Sequence, residues 1–159
     1  MAQPIYRVDN RLVHGQIIST WLPTHRLQRF LVASDTVPDN PLQMAMFQMC
    51  VPPPASFEAM SVKAAADWLN KKAYGKARTM VLLESVQDAA RLFAGGHPFP
   101  ALNIGNVHHA PGRSAITPAV YLGPEELSLL GDLARRGMRV EVRSLPDEPP
   151  IDLGARLTR

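Results

Sequence analysis

Apolar residues gather in short runs at 5–8, 29–33, 57–60, 79–83, 101–104, 119–122 and 139–142, and the segments between them are of helix length. This alternation predicts an α/β domain, with a single open, mainly parallel sheet of about seven strands and helices on both faces. The helical segments are 15–22, 40–50, 62–72, 86–93 and 124–136. In the third, Val62, Ala65, Ala66 and Leu69 fall at helical intervals, as do Leu127, Leu130, Leu133 and Ala134 in the last. Pro124 with Glu125 and Glu126 reads as a helix first turn and Gly137 as its stop. Met44, Met46 and Met49 read as a helix packing into the core, and Trp21 and Trp68 as packing residues. The prolines at 52–54 and the stretch 108–118 read as loop. The expected division is a domain over residues 1–145 and an extended, proline- and charge-rich tail over 146–159.

The length of 159 residues suits one domain, and 46% apolar with 19% charged residues excludes a disordered chain. The net charge of +3 is scattered, without a basic run or interleaved aromatics, so the sequence offers no nucleic-acid surface. An acidic protein partner fits the charge at least as well. The one cysteine, Cys50, excludes a disulfide framework and suits a reducing compartment. No apolar stretch is long enough to span a membrane and no secretory signal opens the chain, so the expected location is cytoplasmic.

In a parallel sheet all strands end on one edge, and ligands bind outside those carboxyl ends. The loops after the first and fifth predicted strands collect His, Arg, Asn and Gly, which hold anions well: Asp9 to Gln16 in one, Gly105 to Gly112 in the other. A histidine alone in a loop is ordinarily a solvated side chain. His14, however, directly precedes Gly15 at a predicted helix start, where free N–H groups favour an anion, and Arg11 three residues away offers a bidentate phosphate contact. Asp9 would hold Arg11 or orient the imidazole. That set suits a nucleophilic histidine in phosphoryl transfer, exposed at the sheet edge. Arg7 reads equally as a structural partner of an acid or as a site residue. His14, His108 and His109 together suggest a zinc site, but no Cys, Asp or Glu completes a ligand spacing, so no metal is expected. His25 and His97 read as surface-turn residues. Neither a P-loop nor a dinucleotide fingerprint follows the first strand.

Arg7 to Gln16 followed by Trp21 resembles the motif R-[IV]-D-D-R-L-[IV]-H-G-Q of the mannose/fructose/sorbose family of phosphotransferase-system IIB components, and 103–108 is similar to its N-[VI]-G-G-[MV]-H segment. The likeness runs over residues 5–142. It implies that His14 accepts a phosphoryl group from a phosphohistidine on a IIA protein and passes it to a sugar entering through a membrane IIC/IID pair, without a cofactor. It also implies catalytic roles for His14, Arg11 and Asp9, with Arg7, Asn10, Gly15, Gln16, Asn106 and His108 lining the phosphate site. Two positions depart from the motif: Asn10 stands for its second Asp, and Asn106 for a Gly, where a left-handed backbone is expected to persist. The alternatives are a regulatory protein signalling through the state of His14, and a small-molecule-binding module without covalent chemistry. The charge of +3 and Arg11 predict a basic rim around His14 for an acidic donor.

Overall fold

The computed structural model describes residues 2–159. Six strands, β1 (Ile5–Asp9), β2 (Arg29–Ala33), β3 (Ser56–Met60), β4 (Thr79–Leu83), β5 (Ala101–Asn106) and β8 (Arg139–Val142), lie parallel in one sheet. The seventh member is β9 (Ile151–Asp152), antiparallel to β8, and the order is β3-β2-β4-β1-β5-β8-β9. The central strands are apolar on both faces because both faces are covered, β4 being buried at every position. On one face lie the helical segment after β1 and α2 (Pro41–Cys50), packed over Phe30, Val32, Met80 and Leu82. On the other lie α3 (Val62–Asn70), α4 (Val86–Ala94) and α5 (Pro124–Arg135), packed over Leu31, Val81, Leu102 and Val140. N-cap side chains start three of these helices: Asn40 accepts from Gln43 N–H, Ser61 from Ala64 N–H and Ser85 from Asp88 N–H, each at 3.1 Å.

The run at 119–122 does not join the main sheet. Residues 120–122 form β7 (Val120–Leu122), which pairs antiparallel in a hairpin with β6 (Ser114–Thr117), the latter inside the stretch read as loop. The hairpin prolongs β5: Val107 N–H donates to Ala119 C=O at 3.0 Å and Tyr121 N–H to Val107 C=O at 3.1 Å. β6, Ser-Ala-Ile-Thr with no buried position, has neither an apolar run nor an alternation to announce it. The tail is not extended either. Glu148 accepts the N–H groups of Ser144 and Leu145 at 3.0 and 3.3 Å, turning the chain back toward β9 and α6 (Leu153–Leu157). Leu153 is buried in the main core, and this one anchor is invisible to a periodicity argument.

The helix after β1 starts at Gly15 as expected but continues to His25. Its middle is a π-helical turn, Ile17–Trp21, followed by α1 (Leu22–His25), and Arg26 closes it in the left-handed region at φ 51°. Ile17 and Trp21 both point into the core. The methionines behave differently from expectation. Only Phe47 of α2 is buried and Met44 is partly so, while Leu42, Met46 and Met49 are exposed, because α2 lies over the outermost strands, where little remains to cover it. His25 and His97 are half-buried: His25 stacks on Trp21, and His97 bonds to Tyr6 Oη at 2.5 Å and Asn70 Oδ1 at 2.8 Å. Burial lowers the pKa of both imidazoles, with Arg143 adding to the effect at His25.

Candidate functional site

The chain leaves β1 toward one face of the sheet and its neighbour β5 toward the other, so a crevice opens where the two strands end. Asp9 is the last residue of β1. It is fully buried and accepts hydrogen bonds from three side chains. Oδ1 takes the backbone N–H of Arg11 at 3.1 Å and its Nε at 3.0 Å. Oδ2 takes Arg11 Nη2 at 3.0 Å, Arg7 Nη2 at 3.1 Å and His14 Nε2 at 3.0 Å. Burial by itself would raise the carboxyl pKa, but the bonds from His14 and Arg11 and the charge of Arg7 overcome it and hold Asp9 well below the usual carboxylate range. An ionised carboxylate only accepts, so His14 Nε2 carries the proton and donates. The lone pair of the neutral imidazole is then on Nδ1.

Arg7 lies two residues before Asp9 on the same side of β1, which puts its guanidinium directly beneath the carboxylate. It is fully buried, so its place is structural: Nη1 donates to Asn103 Oδ1 at 2.7 Å and Arg143 C=O at 3.2 Å, and the group lies 4.9 Å from the Trp21 ring centroid. Burial lowers its pKa, and Asp9 opposes that. Gly105 makes room for it. A Cβ there would stand 1.9 Å from Arg7 Cζ. Gly105→Ala is therefore expected to displace the guanidinium and cost about 1–3 kcal/mol of stability, which a denaturant melt reads directly. Trp21 Nε1 donates to Ser144 C=O, and Ser144 Oγ to Gly105 C=O, each at 2.9 Å, so the loop after β8 is tied to the same floor.

Arg11 is about one-third exposed at 34% and also donates to Gln16 Oε1 at 3.2 Å. His14 is not fully exposed as expected: 15% of its side chain reaches solvent, because Asp9 draws the ring inward. Gly15 is exposed, with nothing within 4 Å of where a Cβ would stand, so it keeps the space beside His14 open. The two loops meet, since Asn10 N–H donates to Asn106 C=O at 3.1 Å and Asn106 Nδ2 to Asn10 Oδ1 at 2.6 Å. Asn106 ends β5 and is not left-handed. The positive φ falls instead on Leu12, at 60°. His108 is exposed and lines, with Asn10, Gln87 and Arg113, a cleft of about 120 Å³ on the same edge.

The basic rim expected around His14 is absent. The carboxyl-edge loops carry Asp35, Asp39, Glu84, Asp147 and Glu148 against Arg11, Arg113 and Arg143, with Arg91 reaching Asp35, while Lys71, Lys72, Lys76, Arg78 and Arg139 sit at the opposite edge. Acids collect at helix N-termini and bases at helix C-termini, and in a parallel α/β fold these are opposite edges. A groove of about 290 Å³ also lies away from His14, between Pro4, Trp21, His25, Arg139 and Arg143. Among the described residues no three His, Cys, Asp or Glu side chains converge to hold an ion. Asn103 and Arg143 support Arg7 but received no role from the sequence. For Asn103, which lies in the 103–108 segment, the available signal was a polar residue at a buried position of an otherwise apolar strand, whereas Arg143, in the loop after β8, gave none.

Comparison with known proteins agrees with this geometry. Residues 4–158 match the family model "PTS system sorbose subfamily IIB component". The fructose-specific EIIB component of Bacillus subtilis (strain 168) is 27% identical over 146 residues, which span 92% of this chain and 90% of that one. The N-acetylgalactosamine-specific phosphotransferase enzyme IIB component 2 of Escherichia coli (strain K12) is 27% identical over 147 residues, 92% of this chain and 93% of that one. Among solved structures, the N-acetylgalactosamine IIB component of Streptococcus pyogenes superposes with a TM-score of 0.87 at 28% identity, covering 96% of this chain and 98% of that one. The IIBSor domain of the sorbose permease from Klebsiella pneumoniae shares the fold, with a TM-score of 0.87 at 23% identity over 96% of this chain and 94% of that one. With the family match running nearly end to end, the chain belongs to the PTS sorbose-subfamily IIB components, phosphotransferases of sugar uptake.

Proposed function

We propose that His14 Nδ1 is the phosphoryl acceptor and donor, working in the cytoplasm between a histidine-phosphorylated IIA protein and a sugar held by a IIC/IID permease. The observation that carries this is the hydrogen bond from His14 Nε2 to a buried, ionised Asp9, which leaves Nδ1 as the nucleophilic nitrogen at the sheet edge. The Nδ1 lone pair attacks the phosphorus, the P–N bond of the donor breaks, and its electron pair returns to the donor imidazole. The Nδ1–P bond breaks in turn when a sugar hydroxyl attacks the phosphorus and gives up its proton. While phosphorylated, the His14 ring is a cation and a stronger donor to Asp9, which supports the intermediate.

Arg11 is the phosphate contact in this reading, and its second bond, to Gln16, orients the guanidinium. Asn10, Gly15, Gln16, Asn106 and His108 border the phosphoryl group, and Arg7 acts through Asp9. Arg11→Ala is expected to slow single-turnover transfer from the IIA donor roughly tenfold to a hundredfold, the loss of one charge-assisted contact of about 1.5–3 kcal/mol. The variant also loses two side-chain bonds to Asp9, so its melting temperature should fall by roughly 2–8 °C, too little to account for the slowing at a temperature where both proteins are folded. Transfer at the wild-type rate would leave Arg11 as a tether for Asp9 alone.

A further inference from the structure

The β1–β5 ladder is regular through Val8 opposite Ile104 and then shifts, so that Asp9 stands opposite Asn106. Past such an irregularity two loops ordinarily separate. Here they do not. The Asn10 N–H to Asn106 C=O bond extends the pairing by one step, and the 2.6 Å amide bond between the Asn106 and Asn10 side chains closes over it. Immediately beyond, Leu12 turns the chain at φ 60°, a left-handed conformation that is costly for any residue but glycine. A strained turn persists where its surroundings over-determine it. On its inner side Asp9 holds the loop through the N–H groups of Arg11 and Leu12. On its outer side the hold is the pair Asn10 and Asn106.

These are also the two positions at which the sequence leaves the motif it resembles, and a glycine at 106 has no side chain to donate. We propose that the Asn10–Asn106 amide pair is a positioning device. It pins the His14 loop to the end of β5 so that Asp9 keeps its bond to His14 Nε2 and Nδ1 stays presented to the phosphoryl group. A carboxylate at position 10 would accept the same bond from Asn106, but it would add a negative charge beside an incoming anion. The amide makes the contact without that charge. This inference rests on His14 being the phosphorylated residue.

The test is a double-mutant cycle on single-turnover transfer from a histidine-phosphorylated IIA donor, over a range of donor concentrations, with thermal melts alongside. Asn10→Ala and Asn106→Ala should each lower the limiting rate roughly tenfold, leaving the half-saturating donor concentration unchanged. The double alanine variant should be no slower than the slower single one, because both remove one bond. Asn106→Asp should restore the hold, since Asn10 can turn its amide to donate, but its added charge should keep the limiting rate between that of the wild type and that of Asn106→Ala. Asn10→Asp combined with Asn106→Asp should fall below either alanine variant, since two carboxylates then face each other. Unchanged limiting rates, or losses that simply multiply in the double alanine variant, would overturn the proposal, as would melting temperatures that fall while rates hold. The underlying assignment fails differently, by phosphate label surviving in His14→Ala.

Discussion

Incubated with a phosphorylated IIA donor, the wild-type protein should take up label that is lost in acid and kept in base, and His14→Ala should take up none. A phosphoramidate on imidazole behaves in that way, whereas a phosphoserine is acid-stable. The substitution removes one partly exposed ring and one hydrogen bond to Asp9, so the fold should lose only about 1 kcal/mol. Its melting temperature should fall by roughly 2–4 °C, which separates loss of chemistry from loss of structure. The same experiment reads the nitrogen. With Nε2 bonded to Asp9, nitrogen-15 spectra of the labelled protein should place the phosphoryl group on Nδ1. Label on Nε2 would require the imidazole to leave Asp9, and label retained in the variant would move the site to another residue, His108 being the next candidate on that edge.

Asp9→Asn should cause the largest loss of stability of any single change at the site. Asp9 and Arg7 are both fully buried, and among the described residues the Asp9 carboxylate is the one charge in salt-bridge contact with that guanidinium. Breaking a buried pair from one side leaves an uncompensated charge, at about 3–5 kcal/mol. A drop in melting temperature of roughly 6–20 °C is expected. Transfer should fall as well, because an amide cannot accept from His14, Arg7 and Arg11 together. The wild type carries a matching acid sensitivity. The native pKa of Asp9 lies below its unfolded value, so its contribution is complete above the ordinary carboxylate range and disappears as pH falls below it. Measured stability of the wild type should therefore decline on acidification more steeply than that of Asp9→Asn. Parallel curves would mean that Asp9 is not the linked group.

Asp9 also shows why the site was only partly legible in advance. Its distance of five residues from His14 and two from Arg11 suggested both of the roles that it has, and the structure places it in both. The burial of Arg7 was not readable, because a polar residue in strand alternation points to one face without telling what covers that face. Helix 15–25 covers it through Trp21, and Gly105 leaves room for the guanidinium. Both are contacts between segments far apart in the chain. The contact between Asn10 and Asn106 has the same origin: each departure from the motif looks isolated in sequence, and only the neighbouring of β1 and β5 joins them.

The net charge misled for a related reason. Composition counts Lys and Arg but does not locate them, and the parallel topology sends helix C-termini, with their cations, to the edge opposite His14.

By itself the sequence determined the α/β class, the six parallel strands among the seven runs it offered, the helices between them and the two loops that meet at the carboxyl edge. These follow from local periodicity, caps and residue type, which act over a few residues and leave a repeated mark. Tertiary structure alone decided that residues 120–122 leave the main sheet for a hairpin, that Ile151–Asp152 supply its seventh strand, that α2 exposes its methionines and that Arg7 lies beneath Asp9. Each of those depends on which surface remains uncovered once the other elements have packed, a property of the assembled core that no window of sequence contains.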